Sequence, residues 1–399
     1  MKKELVILVP YLRDLISNWG TPIRIKGYTD GLGEIVSNYM FVSPSCPTYI
    51  DSNKYVALNI HRRWSKILLM HNILYVRLPL LAKIISYLIE SFSGINNVGV
   101  FKRSDLLIWA HQDSTLAMYL KLTRSLPFIY DVHGISSVQL EYKDRMNFWR
   151  RLWFNLYIRH EKVVMTTADF INAVSSNMKK YIYENFLPHG EVLVAPDGIP
   201  DSLDEYCRIE RKDLSCLFER RKKIILFAGS FKPFGGVKEL IDEYMASNAI
   251  MDEYSLLLIG DGPDKGIIRD KINKMTNGEV LIFSPVSHQE LIAYMKGADV
   301  IVCPDIVNNE YNKMVPHIKL YDAVASGTPV VATDLPVNRA LFPEGENVFY
   351  FNIGDGSFEK AILKASSEQK RYDVCKLNKL TYKQRLIDYM ANYKAQLGL

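Results

Sequence analysis

Cysteine is scarce in this chain and shows no pairing pattern. The five cysteines (46, 207, 216, 303 and 375) form no C-x-x-C pair and are odd in number. That argues against a disulfide framework or a thiolate metal cluster and reads as reduced, cytosolic thiols. A long uninterrupted apolar run is also missing. The greasiest stretch, 67–89, is broken by His71, Asn72, Arg77 and Lys83 and makes a poor membrane span. No secretory leader is legible, because Met1-Lys2-Lys3 leads straight to Glu4 and a short apolar strand stopped by Pro10. Repeats and low-complexity tracts are absent. A pI near 8.7 without a recognition motif excludes nucleic acid as the expected partner.

Acidic residues are missing between Asp51 and Glu90, where Lys54, Arg62, Arg63, Lys66, Arg77 and Lys83 all fall. Basic and aromatic residues then alternate through Trp149, Arg150, Arg151, Trp153, Phe154, Arg159 and Lys162. This pattern suits an anionic membrane surface. An ordinary helix with a core stripe and a solvated basic face accounts for it equally well.

What is present is the grammar of an α/β protein. The chain has 399 residues, 48% of them apolar, which favours two globular domains over one. Strand-like runs at 5–9, 55–59, 106–109, 128–130, 170–174 and 192–195 alternate with helical segments at 22–30, 145–166 and 177–185. A polar segment, 201–223, reads as a linker. The same alternation resumes with strands at 224–228, 255–259, 280–283, 300–302, 330–333 and 348–351. Two open parallel sheets with ligands at the carboxyl ends of their strands are expected.

One segment carries most of the chemistry. In 316–334, P-H-I-K-L-Y-D-A-V-A-S-G-T-P-V-V-A-T-D, a short helix should begin at Pro316 and stop at Ser326-Gly327. Lys319 and Asp322 lie three residues apart and share one helix face. A helix start with free N–H groups and a lysine suits a diphosphate. A carboxylate one turn deeper can accept hydrogen bonds from sugar hydroxyls.

Further motifs follow in order: V-L-V-A-P-D-G-I-P (192–200), L-F-A-G-S-F (226–231), G-G-V-K-E-L (235–240), L-L-L-I-G-D-G-P (256–263) and F-S-P-V-S-H-Q-E-L (283–291). In order and spacing they resemble the GT-B glycosyltransferases, specifically the retaining glycosyltransferase family 4 (group 1). The resemblance implies two Rossmann-like, doubly wound domains facing a central cleft. An acceptor-side domain would cover 1–200 and a nucleotide-sugar-binding domain 201–382, with a C-terminal helix (about 383–399) packing back on the first. It implies a donor site made by Gly229, Ser230, Lys232, Val286, Lys319 and Asp322. It also implies a catalytic pair, His133 (in Y-D-V-H-G-I, 130–135) and Lys319, and an acceptor-side loop with Gly20, Thr21, Arg24 and Asp131. Glu161 and Ser175 match family positions that are as often structural.

The implied reaction moves a sugar from a nucleoside-diphosphate donor to an acceptor hydroxyl with retention. It needs no cofactor and no metal, the nucleotide sugar being a substrate. The acceptor would be a lipid-linked glycan or saccharide in bacterial surface polysaccharide synthesis, and the enzyme cytoplasmic, at most peripheral on the plasma membrane. The departures are local. Asp322 stands for a glutamate, Gly235 for a donor-loop lysine whose charge is either supplied by Lys232 or Lys238 or missing, and Met314 for the upstream glutamate, with Glu310 nearby but out of register. These departures keep open another GT-B activity, such as a sugar-nucleotide epimerase, or a non-catalytic partner subunit.

Overall fold

The computed structural model describes residues 3–9, 20–30, 32–36, 39–47, 50–58, 63–93, 95, 98–111, 114–135, 137–138, 147–199, 203–218, 222–275, 279–345, 347–367 and 374–399. They fall into two compact units, one of residues 1–198 with 382–399 and the other of residues 199–381.

The first unit winds β1 (Glu4–Leu8), α1 (Gly20–Asp30), α2 (Leu32–Ile35), β2 (Tyr39–Ser43), β3 (Tyr55–Ala57), α3 (Arg63–Arg77), α4 (Pro79–Phe92), β4 (Leu106–His111), α5 (Thr115–Arg124), β5 (Phe128–Val132), α6 (Phe148–Thr167), β6 (Phe170–Ala173), α7 (Ser176–Phe186) and β7 (Glu191–Val194). Its sheet order, β3-β2-β1-β4-β5-β6-β7, reverses winding direction between β1 and β4, and every pairing is parallel. β4 is buried along its whole length, as a strand covered by helices on both faces must be.

The second unit contains α8 (Leu203–Arg208), β8 (Lys223–Ala228), α9 (Val237–Ala246), α10 (Asn248–Glu253), β9 (Tyr254–Ile259), α11 (Lys265–Asn273), β10 (Val280–Phe283), α12 (His288–Gly297), β11 (Val300–Cys303), α13 (Glu310–Met314), α14 (Ile318–Ala325), β12 (Val330–Thr333), α15 (Pro336–Leu341), β13 (Val348–Phe351) and α16 (Ser357–Ser367). Its parallel sheet runs β10-β9-β8-β11-β12-β13, with the switch between β8 and β11. Apolar clusters lie on both faces of this sheet.

Three local expectations need correction. The segment 201–223 is no plain linker: it forms α8, and Tyr206 and Leu214 are buried in the second unit's core. Its polar surface hid two apolar anchors. β2 (Y-M-F-V-S) has no counterpart in the sequence reading. The helix expected from Pro316 begins two residues later, with His317 in extended backbone at the N-cap.

The last helix, α17 (Tyr382–Leu397), belongs to the first unit. Tyr382, Leu386, Tyr389 and Met390 join Ile25, Tyr28 and Trp109 in one apolar cluster. Gly27 makes this possible, because a Cβ there would lie 2.3 Å from the Tyr382 ring. The Tyr389 hydroxyl donates to Asn172 Oδ1 at 2.8 Å, tying α17 to β6.

Buried polar groups pin the helices α3, α4 and α6 together. Asn72 donates through Nδ2 to the Thr115 carbonyl (2.9 Å) and to His160 Nε2 (3.1 Å). His71 Nε2 meets Ser86 Oγ at 2.7 Å. Burial pushes the His160 pKa down to about 3, so its Nε2 stays a neutral acceptor. The unfolded chain takes up this proton below about pH 6.5, whereas the fold resists it to about pH 3. The contribution of His160 to stability is therefore complete above pH 6.5 and drains as pH falls towards 3. Urea unfolding between pH 7.5 and 4.5 should show a shallower pH slope for His160→Gln than for the wild-type protein.

Candidate functional site

In the second unit the loops after β8 and β11 meet at the switch point, where open α/β sheets hold ligands. β8 delivers Gly229 and Ser230. Gly229 N donates to the Ile259 carbonyl (3.0 Å) and Phe231 N to the Asp261 carbonyl (2.9 Å), so this loop is laced to the G-D-G-P loop after β9. Gly260 lets them touch: a Cβ there would sit 1.9 Å from the Gly229 oxygen. β11 delivers Asp305, fully buried, whose N–H donates to Thr333 Oγ1 on β12 (2.8 Å).

Lys319 occupies the first turn of α14, where no side chain caps the helix. Its Nζ lies 2.7 Å from Asp305 Oδ1 and 5.4 Å from the Phe227 ring centroid. Lys232 is close enough for its pKa to be lowered, chiefly by burial and then by Lys319. Lys319 and Lys232 lie near the start of α14, where no side chain caps the helix, a setting that favours an anion. Lys238 is engaged elsewhere, 3.2 Å from the buried Asp264. Of the two lysines left open as the second cation, the structure brings Lys232 beside Lys319. Glu310 pairs with Lys313 on the surface of α13, 2.6 Å apart.

His317 completes this cluster. Its Nε2 lies 3.0 Å from Asn312 Oδ1, while Asn312 Nδ2 donates to the Phe234 and Ile306 carbonyls (2.9 and 3.0 Å). Asn312 Oδ1 is thus the acceptor, which assigns the proton to His317 Nε2. Burial, opposed by Asp305 and reinforced by Lys319 and Lys232, lowers its pKa to about 4. The ring is neutral at physiological pH.

One turn along α14, Asp322 is buried but does not pair with Lys319. Its Oδ1 accepts from the Tyr206 hydroxyl (2.8 Å) and lies 3.3 Å from His288 Nε2. Tyr206 and His288 also meet, at 3.1 Å. Val286 stands half-buried two residues before His288, packed on the unit's core. Tyr206 and His288 escaped the sequence reading. Asp305 left one signal, an acid directly after a buried strand in V-C-P-D.

In the first unit, Arg24, Asp131 and His133 come together around β5. Arg24 is buried and donates to Asp131 through Nη2 (2.8 Å) and Nε (3.3 Å), to Asp197 through Nη1 (2.9 Å), and to the Ala195 carbonyl (2.7 Å). Its guanidinium carbon lies 4.8 Å from the Tyr28 ring centroid. These contacts correct the acceptor-loop expectation for Arg24 and Asp131. Both are buried and hold α1, β5 and the segment after β7 together, instead of facing ligand. Burial alone would raise the Asp131 pKa, but Arg24, His111 and His133 outweigh it and hold it well below the usual range.

His111, at the end of β4, was missed. Its Nδ1 lies 2.9 Å from Asp131 Oδ2, its ring stacks on Trp109 at 5.6 Å, and its Nε2 is buried without a hydrogen-bond partner. A polar residue closing L-L-I-W-A-H was the available signal. His133 Nε2 lies 3.4 Å from Asp131 Oδ2 and from His111 Nδ1, and the residue is only partly buried. The ligand atoms of His111, Asp131 and His133 fall within 4.8 Å of one another, a spacing a metal ion can use. Arg24, however, already donates to both Asp131 oxygens and fixes a positive charge there, which opposes a divalent ion.

Gly20 and Thr21 begin α1, but their side chains lie outside the described residues. Glu161 is buried on α6 and accepts from Ser137 N at 3.4 Å. Ser175 caps α7 through Met178 N at 3.0 Å. Both have structural roles.

Comparison with known proteins gives consistent results. Residues 222–368 match the family model "Glycosyl transferases group 1". A phosphatidyl-myo-inositol mannosyltransferase of Mycobacterium leprae is 29% identical over 141 residues, 35% of this chain and 36% of the relative. An uncharacterized glycosyltransferase of Methanocaldococcus jannaschii is 22% identical over 212 residues, 51% and 50% of the two chains. The chain thus spans between about a third and a half of these curated relatives. The whole fold resembles Anabaena HepE in complex with UDP and glucose (TM-score 0.60, 13% identity, 99% of each chain covered). It also resembles a UDP-forming trehalose-phosphate synthase from Burkholderia xenovorans (TM-score 0.63, 14% identity, 100% and 99% covered). These solved structures are GT-B glycosyltransferases, and the fold is theirs.

The Arg24 cluster makes a stability prediction. Arg24→Met would remove the guanidinium that bridges Asp131 and Asp197, leaving Asp131 only its histidine neighbours, and should lower unfolding free energy by about 3–5 kcal/mol. Asp197→Asn, which keeps the Asp131 pair, should cost less. Chemical denaturation of the two variants checks the order.

Proposed function

We propose, from a chain whose residues 222–368 match the family model of the group 1 glycosyl transferases and whose fold is GT-B, that the protein transfers a sugar from a nucleoside-diphosphate donor to an acceptor hydroxyl. The observation that carries this reading is the pair Lys319 and Lys232 beside the uncapped start of α14, at the switch point of the second sheet. As the bond from the anomeric carbon to the donor phosphate oxygen breaks, the leaving diphosphate gathers negative charge. Lys319, Lys232 and backbone N–H groups near Gly229 and Ser230 stabilise it. Asp322, steadied by Tyr206 and His288, accepts hydrogen bonds from the nucleoside ribose, and Val286 borders the base. His133 is proposed as a catalytic residue, as the family resemblance implies. No cofactor or metal is part of the proposal.

The finer reading is a retaining transfer, in which a donor phosphate oxygen takes the acceptor proton and no protein base is required. A lipid-linked glycan or saccharide in surface polysaccharide synthesis is the proposed acceptor. Attachment to the cytoplasmic face of an anionic membrane would bring the enzyme to it. The two curated relatives, one acting on phosphatidyl-myo-inositol by its name, support a sugar-transfer chemistry of this kind.

Release of nucleoside diphosphate across a panel of nucleotide sugars tests the reading. One donor should turn over, and Lys319→Ala should lower its rate by at least about 100-fold. Because that variant strands Asp305, Lys319→Met with Asp305→Asn serves as the stability control and should be equally inactive. Wild-type protein that binds no nucleoside diphosphate by calorimetry would overturn the proposal.

A further inference from the structure

α4 carries apolar residues on the side turned away from the protein as well as on the side turned in. Ala82 and Ile89 are buried, with Ser86 between them reaching α3. The outward face runs Leu80, Ile84, Tyr87, Leu88 at helical spacing and ends at Phe92, with Leu80 79%, Tyr87 74% and Phe92 73% exposed. A helix against water would place polar residues there, but this face offers only Lys83 and Ser91. The one acid of α4, Glu90, points aside and pairs with Arg124 at 3.4 Å.

A second exposed apolar pair lies on α6. α3 touches both helices: His71 meets Ser86 of α4, Asn72 meets His160 of α6, and Lys66 lies 4.5 Å from the Trp153 ring centroid. These pairings run α4 antiparallel and α6 parallel to α3. The end of α4 at Phe92 and the start of α6 therefore lie at the same end of α3. There Phe148 and Trp149 are 72% and 67% exposed. Exposed cations flank the surface, Arg77 and Lys83 on the hairpin and Arg150 and Arg151 on α6.

We propose that the outward face of α4, with Phe148 and Trp149, inserts into the headgroup and acyl boundary of an anionic lipid bilayer. This rests on the reading of a membrane-bound acceptor and deepens it, from charge attraction to hydrophobic insertion. Charge selects the bilayer over a second copy of the chain. Self-association would press the same cations against one another, whereas anionic headgroups pair with them. A large exposed apolar face rimmed by charge needs such a partner. No helix among the described residues is long and apolar enough to cross a membrane, so the contact lies in the interface plane.

The test is sedimentation of the full chain with phosphatidylglycerol–phosphatidylcholine vesicles and with pure phosphatidylcholine vesicles, at low and high salt. Wild-type protein should bind the anionic vesicles and keep part of that binding at about 0.5 M salt, where surface charge is screened. Leu80→Ser with Ile84→Ser and Tyr87→Ser should lose the salt-resistant part, lowering partition by at least about tenfold. The thermal midpoint should not move, since these side chains are exposed. Binding of a panel of nucleoside diphosphates (UDP, GDP, ADP and dTDP) by calorimetry should be unchanged in this variant; binding of none of them by wild type as well would sink the donor reading while leaving the vesicle result intact. Vesicle binding that salt abolishes completely, a triple variant that binds as wild type does, or a wild-type dimer that the triple variant dissolves would overturn the insertion proposal.

Discussion

Every strand pairing in both sheets is parallel, and this single constraint places everything that bears on chemistry. Parallel strands all present their carboxyl ends along one edge, and the returning helices all begin there. Where winding reverses, two neighbouring loops diverge and leave room for a ligand. In the second unit that room is bordered by Gly229 and Ser230 after β8 and by Asp305 after β11. In the first unit the strands beside the switch end in His111 and, one strand further, His133.

The two edges handle charge differently. In the first unit, one guanidinium bridges two carboxylates in the interior, with His111 and His133 also beside Asp131, and the arrangement holds three segments together. Removing one member leaves an uncompensated buried charge, so the cluster is best understood as architecture. In the second unit, Lys319 pairs with Asp305, and the burial is incomplete at Lys319 and Lys232. A helix start without a side-chain cap and with two lysines nearby is a setting that favours an anionic ligand. The paired carboxylate beneath Lys319 fixes its ammonium in the absence of that ligand.

α4 shows the limit of composition as a guide. The basic bias of 51–90 pointed to charge as the membrane signal. Folding turns the acid Glu90 towards Arg124 and leaves an apolar stripe outward, so apolar area becomes the larger feature. Arg62 and the side chain of Arg63, part of the charge pattern in the sequence, lie outside the described residues.

Strand runs rich in Val, Ile and Leu, repeated with helices between them, determined the parallel α/β class, because local periodicity and burial on both faces leave a one-dimensional trace. The order of short motifs around Gly229, Gly260 and Lys319 likewise pointed to the donor-type site, since each is a local turn or helix start. The partners of those residues were not legible. Asp305 reaches Lys319, Tyr206 reaches Asp322, and Arg24 reaches Asp131 and Asp197 from positions 14, 116, 107 and 173 residues away. Contacts at such separations depend on how the strands are ordered in the sheet, which no local pattern encodes. Sequence alone determined which side chains were available; only the tertiary structure decided that Arg24 and Asp131 neutralise each other in a core while Lys319 and Lys232 converge where an anion can reach them.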